Sequence, residues 1–327
     1  MNFRTAILGA GKIAKSHLKF IQEMDRMQAV AIADINAQRA EDLAAQYKLK
    51  AYTDYKQMIH EEKPDIVIIT LPHFLHKEAA VFSANRHCHI LLEKPMAMNM
   101  SECEEIITSA EKNGVQLMVG HTQHYIAQNM KAKELIEQRN LGDLVMINDT
   151  RHVHYFTENR PQWFLEKDKA GGGIMMNLGS HSIDNIQWIT GQRIAKVKAK
   201  LSYYGDRGDV EGSGLLYLET TNGVPISIAQ SGYAGVPKHE TEFIFTNGMI
   251  KLQTSRGLWI SKGNEFHEVE VEVSAPPFHL QFKELIEAID GVKPLSSSGQ
   301  YAKSIIEVVE GIYESYETDH EVILSRR

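Results

Sequence analysis

Five short, uninterrupted apolar runs, at 5–8, 29–33, 66–70, 89–92 and 116–119, are separated by stretches of helical periodicity such as 13–24 and 38–47. A strand that is apolar along its whole length is buried on both faces, and the arrangement that buries both faces is a parallel sheet covered by helices. Regular alternation of such strands with helices predicts a doubly wound α/β domain of the Rossmann type. After about residue 140 the rhythm changes. Strand-like segments follow one another at 196–203, 215–219, 226–230, 242–246 and 249–253. Asn222-Gly223 and Asn247-Gly248 lie between pairs of them, and Asn-Gly favours the tight turns of hairpins. The later region is therefore expected to be α+β with a large, mainly antiparallel sheet. Two helices are expected in it, one after Gly173 and one near 302–316.

The chain has 327 residues, enough for two domains at roughly 150 residues each. Its 35 basic and 42 acidic side chains leave a net charge of −7. That balance argues against nucleic acid or an anionic membrane surface as a partner. The two cysteines, Cys88 and Cys103, cannot build a disulfide framework, which favours a reducing compartment. The longest strand-like apolar run, 66–71, is far short of the roughly 18 residues a membrane span needs. Glycines begin at Gly9, leaving no room for a signal peptide. These features predict a soluble, cytoplasmic protein without membrane contact.

The sharpest local signal is Gly9-Ala10-Gly11-Lys12-Ile13-Ala14, a G-x-G-x-x-A pattern between an apolar strand and a helix. Gly9 permits the tight turn, Gly11 lets a pyrophosphate approach the backbone, and Ala14 allows helix and strand to pack closely. The phosphates would sit at the helix N-terminus, where free N–H groups and the helix dipole favour anions. Asp34 ends the second apolar run, where a carboxylate accepts from ribose hydroxyls. Glu93-Lys94-Pro95 and Leu71-Pro72, with His76 beyond, follow other strand ends, the edge at which such sheets bind ligands. By themselves these segments read equally as strand-end turns, with His76 at a helix start.

In the later region, Gly171-Gly172-Gly173 leads into a helical pattern from about Met175. There Asn177, His181 and Asp184 fall at i, i+4 and i+7, one face of an α-helix. The stretch reads either as a site face or as a capped core helix with a buried histidine. Without cysteines or a second histidine motif nearby, no metal site is expected. No G-x-S-x-G, Walker or H-E-x-x-H pattern occurs, so hydrolase, P-loop and zinc-protease chemistries have no support.

Taken together, the motifs resemble those of the Gfo/Idh/MocA (glucose–fructose oxidoreductase / inositol dehydrogenase) family along almost the whole chain. They are G-A-G-K-I-A at 9–14, Asp34, L-P-H-F-L-H at 71–76, E-K-P at 93–95 and V-G-H-T-Q-H-Y at 119–125. W-F at 163–164 with A-G-G-G at 170–173, G-S-H-S-I-D at 179–184 and the E-S-Y-E-T-D-H-E-V end at 314–322 complete the set. The resemblance implies a nicotinamide cofactor, NAD with NADP as second candidate. It would be held by Gly9, Gly11, Lys12, Ile13, Ala14, Asp34, Leu71, Pro72, His76, Glu93 and Lys94. It implies Lys94 and His181 as the catalytic pair, with Asn177 at a position the family usually fills with aspartate. His124 replaces a family arginine, and Phe164 another. With Trp163, Asn177 and His181, His124 is placed on the substrate side.

The expected domains are 1–122 for dinucleotide binding and 123–327 for substrate binding and oligomerisation. The expected activity is NAD(P)-dependent oxidoreduction of a secondary alcohol or ketone of a sugar, polyol or sugar derivative. An NAD-dependent glycosidase of the same fold and a non-enzymatic sugar or cofactor sensor are the alternatives. Either His181 or Lys94 could serve as base. The expected partners are a small-molecule substrate and further copies of the chain, as a homodimer or homotetramer.

Overall fold

A computed structural model describes residues 2–324, and the chain forms two compact units. The first holds a six-stranded parallel sheet in the order β3-β2-β1-β4-β5-β6. Its strands are β1 (Phe3–Leu8), β2 (Met27–Ala33), β3 (Lys50–Tyr52), β4 (Ile66–Ile69), β5 (His89–Leu92) and β6 (Leu117–Val119). Helices α1 (Lys12–Ile21), α2 (Ala37–Tyr47), α3 (Tyr55–Glu62), α4 (His76–Ala84) and α5 (Met100–Lys112) connect them. The doubly wound fold expected from the apolar runs is present. All four residues of β4 are fully buried, as its unbroken apolar sequence requires. The short β3 had no apolar run to announce it: Lys50 and Ala51 are exposed, so it is an edge strand.

The first unit is not one continuous segment. It comprises the residues up to His121 together with Phe278–Lys303, a stretch the sequence reading left with the later region. The reason is apolar packing. Helix α9 (Pro277–Ile289) sends Phe282, Leu285 and Ile286 into the core built by Ile7, Leu18 and Ile32. Phe278 and Phe282 also pack on the ring of His17, at 5.0 and 5.8 Å between centroids.

The second unit, residues 122–277 and 304 onward, is built on a nine-stranded mixed sheet. Helices α6 (Ala127–Glu137), α7 (Lys167–Ala170) and α8 (Ser180–Thr190) precede most of its strands. The strands are β7 (Leu144–His152), β8 (Ile194–Ser202), β9 (Ser213–Thr220), β10 (Pro225–Ser231), β11 (Lys238–Phe245), β12 (Gly248–Gln253), β13 (Gly257–Lys262), β14 (Glu265–Glu268) and β15 (Val322–Ile323). Their order is β14-β13-β12-β11-β7-β10-β9-β8-β15, and every pairing is antiparallel except β7 with β10. Asn222-Gly223 lies in the turn joining β9 to β10, with Gly223 at φ +80°, whereas the turn joining β11 to β12 is Thr246-Asn247 and Gly248 already pairs with Phe245. Helices α8 and α10 (Gly299–Thr318) pack on one face: Gln230 of β10 donates to Ser182, and Ala199 N–H of β8 donates to Ser315. The opposite face leaves Leu215 and Tyr217 of β9 exposed. No helix among the described residues is long and apolar enough to cross a membrane.

Assigning α9 to the first unit makes Phe282 part of its core. Phe282→Ala is expected to cost about 3–5 kcal/mol, the usual range for deleting a buried phenylalanine. Thermal and urea unfolding read this out; a loss below about 1 kcal/mol would contradict the assignment.

Candidate active site

In a parallel sheet every strand delivers its C-terminal end to one edge. Here the first residue past each strand except the edge strand β3 forms a row: Gly9, Asp34, Thr70, Glu93 and Gly120. The main-chain ladder continues through that row. Gly9 N–H donates to Ala33 at 2.7 Å, Thr70 N–H to Leu8 at 2.8 Å, Glu93 N–H to Ile69 at 3.0 Å and Gly120 N–H to Leu92 at 2.7 Å. The row is thus held by strand geometry rather than left to loops.

Gly9 has φ +93°, and a Cβ there would lie 2.8 Å from the Thr70 carbonyl oxygen, so no other residue fits. Asp34 ties the turn to β2. Its Oδ2 accepts from Ala10 N–H at 2.7 Å and its Oδ1 from Asn36 N–H at 2.8 Å. Each carboxylate oxygen has a second lone pair, so the half-exposed Asp34 can still accept from a diol. Gly11 is the N-cap of α1, makes no side-chain cap, and has open space where a Cβ would stand. Lys12 is exposed, Ile13 half-buried and Ala14 buried. A turn closed against the strand, an uncapped helix start and an acceptor at the end of β2 fit a dinucleotide.

Lys94 follows a carboxylate held from both sides. Glu93 Oε1 accepts from His17 Nε2 at 2.8 Å, and Oε2 accepts from Lys94 N–H at 3.3 Å. Burial works to raise the Glu93 pKa, but the bond from His17 and the Lys94 charge overcome it and hold the group below the usual carboxylate range. Glu93 therefore orients the segment that carries Lys94. His76 is fully buried, with Nδ1 2.9 Å from the Pro95 carbonyl oxygen and Nε2 2.8 Å from that of Leu71. Burial lowers the pKa of the ring, so it is neutral and its one N–H donates to one of these two carbonyls while the ring packs between both strand-end segments. His17 escaped the sequence reading, although a polar residue in the buried stripe Ala14, His17, Leu18, Ile21 of α1 was a visible signal.

In the second unit a buried carboxylate organises the other cluster. Glu211 accepts from Gly173 N–H at 2.8 Å, from Met175 N–H at 2.8 Å and from Tyr313 Oη at 2.9 Å. Burial pushes its pKa above the usual range, although these donors pull the other way. Gly172 has φ +157°, and a Cβ on it would lie 1.8 Å from Tyr313 Oη, which explains the glycine run. From this anchor Met175–Gly179 winds as a π-turn into α8. The expected single α-helical face is therefore interrupted, because a π-turn pairs i with i+5. Asn177 Nδ2 reaches Tyr155 Oη at 3.5 Å, while His181 and Asp184 take partners from the 122–125 turn. His181 Nδ1 lies 3.0 Å from Gln123 Nε2, and Asp184 Oδ1 accepts from His124 Nε2 at 2.7 Å. The His124 ring stacks on Trp188 at 4.6 Å.

Behind the turn lies Arg151 of β7, buried, with Nη2 3.4 Å from Gln123 Oε1 and in contact with His239. Burial, with Arg151 and Arg256 adding to it, pushes the His239 pKa down to about 3, so its neutral ring accepts from the guanidinium. Trp163 stacks on Phe164 at 3.7 Å, and Arg160 lies over Tyr155 and Phe164. No cluster of three His, Cys, Asp or Glu among the described residues is arranged to hold a metal ion. Arg151 and Glu211 had no motif to mark them, and Gln123, inside the 119–125 motif, had no role assigned to it.

Fold and site define a dinucleotide-binding oxidoreductase. Residues 3–121 match the oxidoreductase family with an NAD-binding Rossmann fold, and residues 129–251 match the GFO/IDH/MocA C-terminal domain. The chain belongs to the Gfo/Idh/MocA oxidoreductase family. It is 26% identical to an uncharacterized oxidoreductase, YrbE, of Bacillus subtilis, over 96% of this chain and 87% of that one. It is also 26% identical to inositol 2-dehydrogenase of Salmonella typhimurium, over 70% of this chain and 67% of the relative. The fold matches that of levoglucosan dehydrogenase in complex with NADH, at TM-score 0.92 and 20% identity over all of both chains.

Asp34 stands where the cofactor preference is expected to be set. A carboxylate that accepts from a ribose diol repels a 2′-phosphate, so NADH should bind more tightly than NADPH. Asp34→Ser should narrow the difference in a fluorescence titration. Equal or reversed affinities in the unmodified protein would contradict this.

Proposed function

We propose that this chain is an NAD-dependent dehydrogenase that moves a hydride between nicotinamide and a secondary alcohol or ketone of a sugar, polyol or sugar derivative. Two observations, one in each unit, carry the reading: a dinucleotide-fitted strand edge on which Glu93 orients Lys94, and an imidazole, His181, whose ring is held by a side-chain bond. The names of the relatives, an inositol dehydrogenase and a levoglucosan dehydrogenase among them, support a polyol or sugar as substrate class. When bound, the cofactor supplies the hydride chemistry. The chain's own task is to orient the alcohol and handle its proton. We assign that task to Lys94 and His181, with Asn177, His124 and Trp163 on the substrate side. Lys94 can hold the oxygen with its charge as an alkoxide develops. Asn177 can orient a hydroxyl but brings no negative charge.

The test is a panel of inositols, sugars and sugar phosphates with NAD, read as net formation of NADH. Net turnover separates a dehydrogenase from a glycosidase that returns the hydride to its product. On the substrate so found, Lys94→Ala and His181→Ala should each lower kcat by about 10²–10⁴-fold, the range for a positioned acid or base. The double variant should lose far less than the product, because groups acting as a unit are not additive. Near-normal turnover in His181→Ala would overturn the assignment.

The same reading includes self-association. The sheet face of the second unit opposite α8 and α10 presents Leu215, 62% exposed, and Tyr217, 47% exposed, on one strand. Apolar groups grouped on an uncovered sheet face mark a meeting surface, here with a second copy. Light scattering should give a multiple of the 36.9 kDa chain mass, and the monomer mass at micromolar concentration would reject it.

A further inference from the structure

An imidazole with a proton on the wrong nitrogen cannot take another there, so the tautomer of His181 decides what the ring can do. Its Nδ1 lies 3.0 Å from Gln123 Nε2, and the same amide nitrogen lies 3.1 Å from the His181 carbonyl oxygen. The other end of the amide, Oε1, faces Arg151 Nη2 at 3.4 Å. An amide turned end for end keeps its outline, so its orientation must come from its neighbours. Here the two neighbours agree. A guanidinium carries donors only, so the end towards Arg151 is the oxygen. A main-chain carbonyl only accepts, so the end towards His181 is the NH2 group. Turned round, the amide would set donor against donor and oxygen against oxygen, at about 1–3 kcal/mol for each buried group left unsatisfied. The main chain of Gln123 is tied as well: its backbone carbonyl oxygen accepts from Asn129 Nδ2 at 3.0 Å, and Asn129 is held in turn by Asn185 at 2.8 Å.

We propose that Arg151 and Gln123 fix His181 as the Nε2–H tautomer, so that the ring meets the substrate oxygen as a hydrogen-bond donor and not as the base. The proposal rests on the reading of His181 as the ring at the reacting oxygen. In oxidation the hydroxyl O–H bond must break towards a lone pair, and the only lone pair of the neutral ring is turned to Gln123. The proton goes instead to the Lys94 amine, which takes it in the uncharged form that a bound cationic nicotinamide would favour, and a third N–H bond forms there. Charging the ring would set Nδ1–H against the Gln123 N–H. In reduction, Nε2–H bonds to the carbonyl oxygen as negative charge gathers on it. Gln123 and Arg151 are positioning residues, acting through His181.

The test is long-range proton–nitrogen NMR on the full-length protein labelled with nitrogen-15 histidine, above neutral pH. The His181 signals are assigned by their loss in His181→Asn. The expected result is a protonated Nε2 and an unprotonated Nδ1. Gln123→Glu, whose carboxylate can only accept, should move the proton to Nδ1. Gln123→Met should give both tautomers, and the smaller competent fraction alone should lower kcat by about twofold or more with NADH affinity unchanged. A proton on Nδ1 in the unmodified protein, or a ring unchanged in both Gln123 variants, would overturn the proposal. A ring protonated at Nε2 in a protein whose His181→Ala variant keeps full turnover would support the tautomer and overturn the role assigned to His181 above.

Discussion

The second unit depends on one buried carboxylate. Glu211 gathers the N–H groups of Gly173 and Met175 and the hydroxyl of Tyr313 at the point where an irregular glycine run becomes helix. Helix starts leave N–H groups without partners, and a negative charge placed there meets both the donors and the dipole. The backbone can come that close only because residue 172 lacks a Cβ. Asn177 and His181 follow within two turns, so the placement of the imidazole is inherited from a residue far away in sequence that does no chemistry itself.

The first unit achieves the same end differently. No single group anchors its edge. The parallel ladder runs one residue beyond the strands, and the candidate site positions are the residues it reaches. Side chains then lock the edge laterally: Asp34 to the glycine turn, His76 between the Leu71 and Pro95 carbonyls, and His17 to Glu93. Precision comes from putting the site on rigid elements and backing it with hydrogen bonds. The same logic recurs around His181, where Gln123 and Arg151 stand behind the ring.

The parts of this design legible in the sequence were those with a period or a motif. Runs buried on both faces marked β1, β2, β4, β5 and β6, and the spacing of Gly9, Gly11 and Ala14 marked the nucleotide turn. Strand β7 was not legible because its inward positions after Ile147 are Asp149 and Arg151, both buried and both charged. A hydrophobicity pattern cannot find a strand that faces a polar cluster. Helix α9 was not singled out in the sequence, and its place in the first unit was not legible, since its partners His17 and Ile7 lie more than 250 residues earlier. The one-face argument for Asn177, His181 and Asp184 assumed a regular helix, and the π-turn at Met175–Gly179 breaks that period. Glu211 belongs to no motif, and Gln123 was legible only as a position inside the 119–125 motif; the folded chain brings both to their partners.

The central claim is that this scaffold removes hydride from the carbon of a secondary alcohol. The direct measurement uses a polyol or sugar substrate deuterated at that carbon, incubated with NAD and analysed by mass spectrometry. The claim predicts deuterium on the nicotinamide ring of the reduced cofactor, in amounts equal to the ketone formed. Label released to water, or product formed without net labelled NADH, would contradict it.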